Sequence, residues 1–538
     1  MAISVPFNGK QIKLPGVYAA VQSGIKRDIP LSTYSNVLLI DAGAGAGFNS
    51  IKGIGTTGGR ECIYTLDQPT ANFYIKGGPI APVIEKLFTP AIGAPGIGDL
   101  HLIKAATTTA ATISNVSLFG GAITIKSITT VEQGEAVNTY PSEGIEENTY
   151  EVKKGYLLRS IYDKAINKAY IELLQGSYEG ESLSGFIIAQ DEENSHPTSI
   201  YRSKKCSSPK ELVDFLQRSL DLKALVVLDG IEAANPTATS FTEDEQVNKN
   251  FAFAGGGDNY MTSVADILPK TIDTDYSVML ILTKDAESQR NMVLVAKEHL
   301  ENEAKGIKML MSYEEDKNNA ILQAQTYDSS NIIVASSLCK KTSNLSPTGF
   351  ISQDNMVTAA VCLGRIFGLS PEIAGTFKTL DIDGMEEEPT EKDLEDMLDN
   401  GVITPYYDTD FGTYVLSQVC NTLQENTELI NPDCTTYSVQ IMRCLGQVMK
   451  NLQQQAKLDF WSGNKGANKG TLSTAYVRAW TNGLLNKLTV APNKTENNYL
   501  LEYEVTKVEL KEDSITVYIA CRCNSEINKV FFLVTVLG

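Results

Sequence analysis

Gly53-x-Gly55-x-x-Gly58 has the spacing of a dinucleotide-binding turn, and Gly43-x-Gly45-x-Gly47 stands just before it. In such a turn the glycines let backbone amides approach a pyrophosphate, which rests on the N-terminus of the helix that follows. The residues after Gly58 are Gly-Arg-Glu-Cys-Ile-Tyr-Thr-Leu, which read as extended chain. The spacing therefore lacks the helix that would hold a nucleotide, and a tight or flexible connection is the simpler reading. No Lys-Ser or Lys-Thr pair follows either cluster. His101, His196 and His299 are the only three histidines, and none has metal-ligand spacing. Asp381-Ile382-Asp383-Gly384 opens like a calcium loop but lacks the later ligand positions and the closing glutamate. No catalytic, cofactor-binding or metal-binding residue is nominated. A nucleotide-binding enzyme using Gly53, Gly55 and Gly58 stands as the alternative.

The elements around these motifs read as an α/β (α+β multidomain) chain. At 538 residues the chain can bury several cores, and 42% hydrophobic with 21% charged residues is ordinary for a globular protein. The sequence contains no apolar run of the roughly 20 residues a membrane helix needs, and its first residues lack the apolar centre of a signal peptide, so no membrane partner is expected. Nine scattered cysteines suit reduced thiols better than a disulfide framework. Cys521 and Cys523 alternate with Ile515, Val517 and Ile519 on one expected strand face, the placement of small core residues.

Along the chain the expected units are an arm over 1–35, the first part of an α/β domain over 36–112, an inserted β-rich module over 113–251, the second part of the α/β domain over 252–425, and a C-terminal helix-plus-sheet unit over 426–538. Strands are expected at 37–40, 276–282, 307–312 and 331–335, with helices at 287–304, 316–326 and 353–367 between and after them. That alternation favours a parallel or mixed sheet. Residues 381–399 carry ten acids against one lysine. There Thr390 and Asp393 form a capping box that starts a helix, which Asn400-Gly401 ends. A hairpin is expected over 402–419, two amphipathic helices near 439–452 and 472–488, and strands at 499–510, 514–523 and 529–537.

Two features point to partners. In the last strand Val530, Phe532, Val534 and Val536 fall on one side and Phe531, Leu533, Thr535 and Leu537 on the other, apolar on both faces. Burying its seven apolar side chains is worth on the order of 10 kcal/mol gross, so something covers it: the chain's own sheet, or a neighbouring subunit's sheet edge. The second feature is charge. The chain is −19 overall, which argues against nucleic acid as a general partner, yet 443–494 carries eight bases against Asp459 alone. Arg443, Lys450, Lys457, Lys465 and Lys469 belong to this window. A solvated helix face, a nucleic-acid patch with Trp461 and Trp480 as stacking residues, and a docking face for an acidic protein are the readings it allows.

In this order, these pieces resemble the tail sheath proteins of contractile bacteriophages and related injection machines such as pyocins. The resemblance is carried by Leu14-Pro15-Gly16-Val17-Tyr18, the strand at 37–41, Gly255-Gly256-Gly257-Asp258, the helix at 353–367 with Ser370-Pro371, the stretch 390–419, and the two helices and β-rich end that follow. Cys434-Thr435-Thr436 only loosely matches the family's lead-in to its long helix, and 343–347 is an unusual polar insertion. The resemblance implies a non-enzymatic structural subunit, without cofactors, in a virion tail. Such subunits form a helical homopolymer of stacked hexameric rings around an inner tail tube, between baseplate and tail terminator proteins. Terminal strands are exchanged between subunits, here Val17, Tyr18, Ala19 and Val21 with Val530, Phe532, Val534 and Val536. It further implies that Arg443, Lys450, Lys457, Lys465 and Lys469 contact the inner tube and that the inserted module faces outward. A capsid or surface-layer protein with exchanged strands is the structural alternative.

Overall fold

The computed structural model describes residues 5–7, 10–12, 35–42, 47–48, 64–69, 71, 75–77, 80–105, 111–130, 152–178, 198–219, 222, 225–253, 263–283, 285–302, 307–342, 350–424, 438–462, 472–491, 497–511 and 514–524. Helices and several separate sheets mix throughout.

A seven-stranded sheet organises the larger part. Its order is Val402–Ile403, Ile332–Ser336, Met309–Glu314, Val278–Leu282, Val37–Asp41, Leu100–Lys104, Tyr64–Leu66. All neighbours are parallel except Tyr64–Leu66, which runs antiparallel to Leu100–Lys104. The central strands VLLID, VMLIL and IIVAS are buried at every residue, as strands covered by helices on both faces must be. Alternation sorts their side chains between two cores. Val37, Leu39, Val278, Leu280 and Met311 join the helices Ile80–Phe88, Asn355–Phe367 and Val439–Ala456. Leu38, Ile40, Met279, Ile281 and Leu310 join Ala286–Asn302, Lys317–Tyr327 and Glu391–Asp399 on the opposite face.

Local chemistry sets the helix starts. Asp316 accepts from the Asn319 amide at 2.9 Å, and Thr390 and Asp393 make the reciprocal capping box. Lys317 bridges Asp393 at 2.5 Å and Asp396 at 2.9 Å, tying two helices of that face together, and its ammonium holds the Asp393 carboxyl far below the usual carboxylate range. Gly401 takes φ +77° just after the helix Glu391–Asp399, where a Cβ would meet the Asn421 carbonyl oxygen at 2.5 Å.

Residues 111–253 contain a core of their own, with Phe119, Tyr162, Leu216, Phe241 and Phe253 at its centre. A three-stranded sheet (Val226–Ala233, Ile123–Thr130, Thr112–Leu118) and a four-stranded one (Thr198–Arg202, Lys168–Tyr178, Val152–Asp163, Lys249–Ala252) enclose it, with the helix Pro209–Arg218. Glu172, buried there, is neutralised by Arg202 at 2.5 Å and Arg159 at 3.6 Å.

Beyond the sheet, Val439–Ala456 runs into a π-helical turn over Lys457–Ser462, and Thr474–Leu485 precedes the antiparallel hairpin Leu500–Leu510/Ile515–Cys523. The base of the hairpin, Tyr499, Leu500 and Cys523, lies in the first core. Its far end packs Val508, Ile515 and Val517 on a small separate cluster of Ala456, Phe460, Leu472 and Val477. The strand expected at 529–537 lies outside the described residues.

Candidate functional site

The carboxyl ends of the parallel strands come first, because α/β enzymes bind ligands where strand order reverses. Here it reverses between Val37–Asp41 and Val278–Leu282. Several of the polar groups near this region are engaged within the fold. The Tyr313 hydroxyl donates to the Thr283 carbonyl and accepts from the Thr283 amide, both at 3.0 Å. Asp285 accepts from the Ser288 amide at 2.9 Å. Glu314 takes Arg290 at 2.6 Å and Gln323 at 2.7 Å. Among the described residues no group of three or more His, Cys, Asp or Glu could hold a metal ion, and no helix is long and apolar enough to cross a membrane. Gly53, Gly55 and Gly58 lie outside the described residues.

The basic window divides into engaged and free charge. Arg443 is only 6% exposed; it donates to the Leu369 carbonyl and stacks 5.2 Å from the Phe367 ring centre, inside the fold. The guanidinium expected at a tube contact is thus engaged within the fold. Lys450 pairs with Asp275 at 2.6 Å and is 17% exposed at the side chain. Lys457, at the start of the π-helical turn, is exposed. Arg478 was counted only as charge in the sequence, yet it donates to the carbonyls of Val505 at 2.5 Å and Thr506 at 3.2 Å. Lys465 and Lys469 lie outside the described residues. Trp480 donates to Asp459 at 2.8 Å and packs on Phe460 at 4.6 Å, so its ring is committed to the small cluster and does not stand as a stacking platform.

Beside Lys450 a cleft of about 230 Å³ is lined by Asp273, Asp275, Lys308, Arg443 and Lys457 among others. Asp275, which lines it, is held from behind by His101, whose Nε2 donates to the Asp275 carbonyl at 3.0 Å while Nδ1 accepts from the Thr65 hydroxyl at 3.0 Å. Burial pushes the His101 imidazole below its ordinary 6.5, outweighing the Asp275 carbonyl, which pulls it up. The folded chain thus binds this proton more weakly than the unfolded chain, so the contribution of His101 is fully present above about pH 6.5 and is lost as pH falls through the lower folded-state pKa. With only three histidines, an imidazole NMR titration resolves it. His101 should titrate below 6.5, and a value at or above that would show that the ring is solvated.

The two edges of the hairpin differ in what the described residues place beside them. The outer side of Leu500–Leu510 is met at its base by 488–490, through Leu500 N–H to the Leu488 carbonyl at 3.0 Å and Val490 N–H to the Leu500 carbonyl at 2.9 Å. Further along, Thr506 forms a bulge, the register slipping between Val505 and Lys507, and Arg478 caps the carbonyls freed there. Nothing among the described residues pairs with the outer edge of Ile515–Cys523, nine residues long and half-buried over most of its length. Alternation in the sequence located this strand; which edge stays open depends on the bulge and on Arg478, and no sequence pattern marks either. Val17, Tyr18, Ala19, Val21, Val530, Phe532, Val534 and Val536 lie outside the described residues.

No family model matches the chain, and no curated protein matches it. Similar solved structures include a sheath tail protein from Listeria innocua, 11% identical, covering 95% of this chain and 100% of that one at a TM-score of 0.43. The helical sheath of the anti-feeding prophage in its contracted state is 9% identical, covering 97% and 99% at 0.43. The baseplate of the same prophage is 11% identical, covering 51% and 73% at 0.38.

Proposed function

We propose that this chain is a structural subunit that polymerises helically with copies of itself into a contractile tail sheath around an inner tube. The observation that carries the reading is the hairpin edge: the nine-residue strand Ile515–Cys523, half-buried over most of its length, has no partner on its outer side among the described residues, while the outer side of Leu500–Leu510 is met at its base by 488–490. A two-stranded sheet of this length is marginal by itself and is an aggregation hazard unless a further strand is meant to join it. A strand donated by another copy satisfies its amides and carbonyls and sets the register. The apolar pattern at 530–536 and the arm at 17–21 supply suitable donors. The order of the sequence elements supports the same reading.

The mechanism is mechanical. The central sheet, buried on both faces, makes a body that moves as one piece, and the exchanged strands keep the lattice connected while these bodies rotate and slide past one another. Head-to-tail contacts that do not close into a ring propagate into a helix. Baseplate and terminator proteins would bound the polymer, the module at 113–251 would face outward, and the tube would meet the exposed Lys457, and Lys465 and Lys469 of the same basic window, in salt-sensitive contacts that can break.

Electron microscopy of purified protein, alone and with tube protein, tests this: striated hollow cylinders are expected, and dispersed particles at all concentrations would refute it. Lys457→Glu should weaken assembly on the tube at low salt while shifting stability by no more than about 0.5 kcal/mol, since the side chain is exposed. Unchanged assembly on the tube would assign Lys457 to a solvated face.

A further inference from the structure

The two strands of the C-terminal hairpin are built differently. Leu500–Leu510 carries Glu502, Glu504, Lys507 and Glu509, and it is exposed at Leu501, Glu502, Glu504, Thr506, Lys507 and Leu510. In Ile515–Cys523 the one charged residue is Arg522, and the others are small, apolar, aromatic or β-branched. Charges, bulges and a covered backbone keep a sheet edge from pairing with another chain. The first strand has all three, and the second has none of them among the described residues.

The covering comes largely from one side chain. Arg478 lies on Thr474–Leu485, which packs along Leu500–Leu510 and whose Val477 belongs to the small cluster that Val508 rests on. Its Nη1 donates to the Val505 carbonyl at 2.5 Å and its Nη2 to the Thr506 carbonyl at 3.2 Å. A single guanidinium thus occupies two successive carbonyls at the bulge, where Thr506 has no register partner on Ile515–Cys523. An added strand needs such carbonyls as acceptors. The fixed fork of an arginine reaches both at once, which the point charge of a lysine does not. With 488–490 at the base, the outer side of Leu500–Leu510 is taken up both at its start and at its middle.

We infer that Arg478 is a specificity-determining residue that makes strand addition one-sided: by occupying the Val505 and Thr506 carbonyls it bars a strand of a second copy from Leu500–Leu510 and leaves Ile515–Cys523 as the recipient. One recipient edge per subunit keeps donor and acceptor matched one to one, as a head-to-tail polymer requires. For its place in the polymer the inference rests on the strand exchange proposed above. The barred edge is a property of the lone subunit and is testable in it.

The test follows full-length variants by melting, by sedimentation and by electron microscopy. Arg478→Met should melt close to the wild type, because the side chain is exposed, yet raise the fraction of protein in irregular or side-joined aggregates on the order of tenfold. Adding Thr506→Pro blocks the same edge by another route, since proline is tolerated at a bulge and offers no amide to a neighbour, and should return aggregation to the wild-type level. Where the proline itself lowers melting, Thr506→Lys supplies the block instead. Arg478→Met that assembles and sediments like the wild type would overturn the inference. So would aggregation that neither substitution at Thr506 reverses, which would give Arg478 its role elsewhere. A wild type that stays a single subunit under all conditions would remove the sheath reading alone if Arg478→Met still self-associates and the Thr506 variants reverse it.

Discussion

A chain lacking residues 528–538 should fold and stay monomeric under conditions where the intact chain polymerises. The deleted segment contains the stretch whose sequence alternates as a strand apolar on both sides would, Val530, Phe532, Val534 and Val536 against Phe531, Leu533 and Leu537. Seven such side chains are worth on the order of 10 kcal/mol gross when buried. Ordering the segment and fixing the subunit consume much of that. A net of about 3 kcal/mol per contact would still raise the critical concentration on the order of a hundredfold. The recipient edge, Ile515–Cys523, remains in the truncated chain, and so do both cores on the central sheet. Circular dichroism and sedimentation should therefore report an intact single subunit. Polymer of normal length from the truncated chain would eliminate this segment as the donor strand, and a collapsed, unfolded product would place it in the subunit's own core.

Gly364→Val should lower the urea midpoint sharply, by on the order of 3 kcal/mol of stability. A Cβ at Gly364 would lie 2.6 Å from the Leu87 carbonyl oxygen, 2.7 Å from that of Lys86 and 3.0 Å from the Leu87 Cα. These are backbone atoms of the packed helix Ile80–Phe88, so no rotamer change can make room. Helix propensity acts in the opposite direction, since replacing a helical glycine gains roughly 1 kcal/mol, and here the steric clash wins. Gly483 is the control: it is helical with nothing within 4 Å of its added Cβ, so Gly483→Ala should gain stability. If both variants gained stability, the contact between Ile80–Phe88 and Asn355–Phe367 would be looser than the distances state.

The elements of the sheet and its helices could be read from sequence because their signals are local. Strands expected at 37–40 and 331–335 are found as Val37–Asp41 and Ile332–Ser336, and helices expected at 287–304 and 353–367 as Ala286–Asn302 and Asn355–Phe367. The capping box at Thr390 is found with both of its bonds. The short strand Val402–Ile403 departs from expectation: 402–407 reads as one arm of a hairpin, but the first two residues extend the parallel sheet and the hairpin begins at Pro405. Tertiary pairing divides Val-Ile-Thr-Pro-Tyr-Tyr at Thr404-Pro405, where the proline ends one ladder and opens the next.

Site residues were less legible because charge in a sequence has no direction. Arg443, Lys450, Lys457 and Arg478 are equivalent as entries in a net charge of +7, yet one is buried over a ring, one is paired with Asp275, one is exposed and one caps a bulge. Arg365 lies in the helix expected at 353–367, and its burial without a partner for Nε and Nη1 is visible only once the neighbouring helices are in place.

The hairpin is fastened unequally along its length. Tyr499, Leu500 and Cys523 are embedded in the main core, whereas the far end rests on four buried residues around Phe460. Fewer buried contacts mean a lower free energy of local opening. Tension arriving through a strand added to Ile515–Cys523 would therefore peel the distal turn first and leave the base seated. The element would behave as a spring graded from stiff to soft, absorbing displacement between linked bodies before any of them yields.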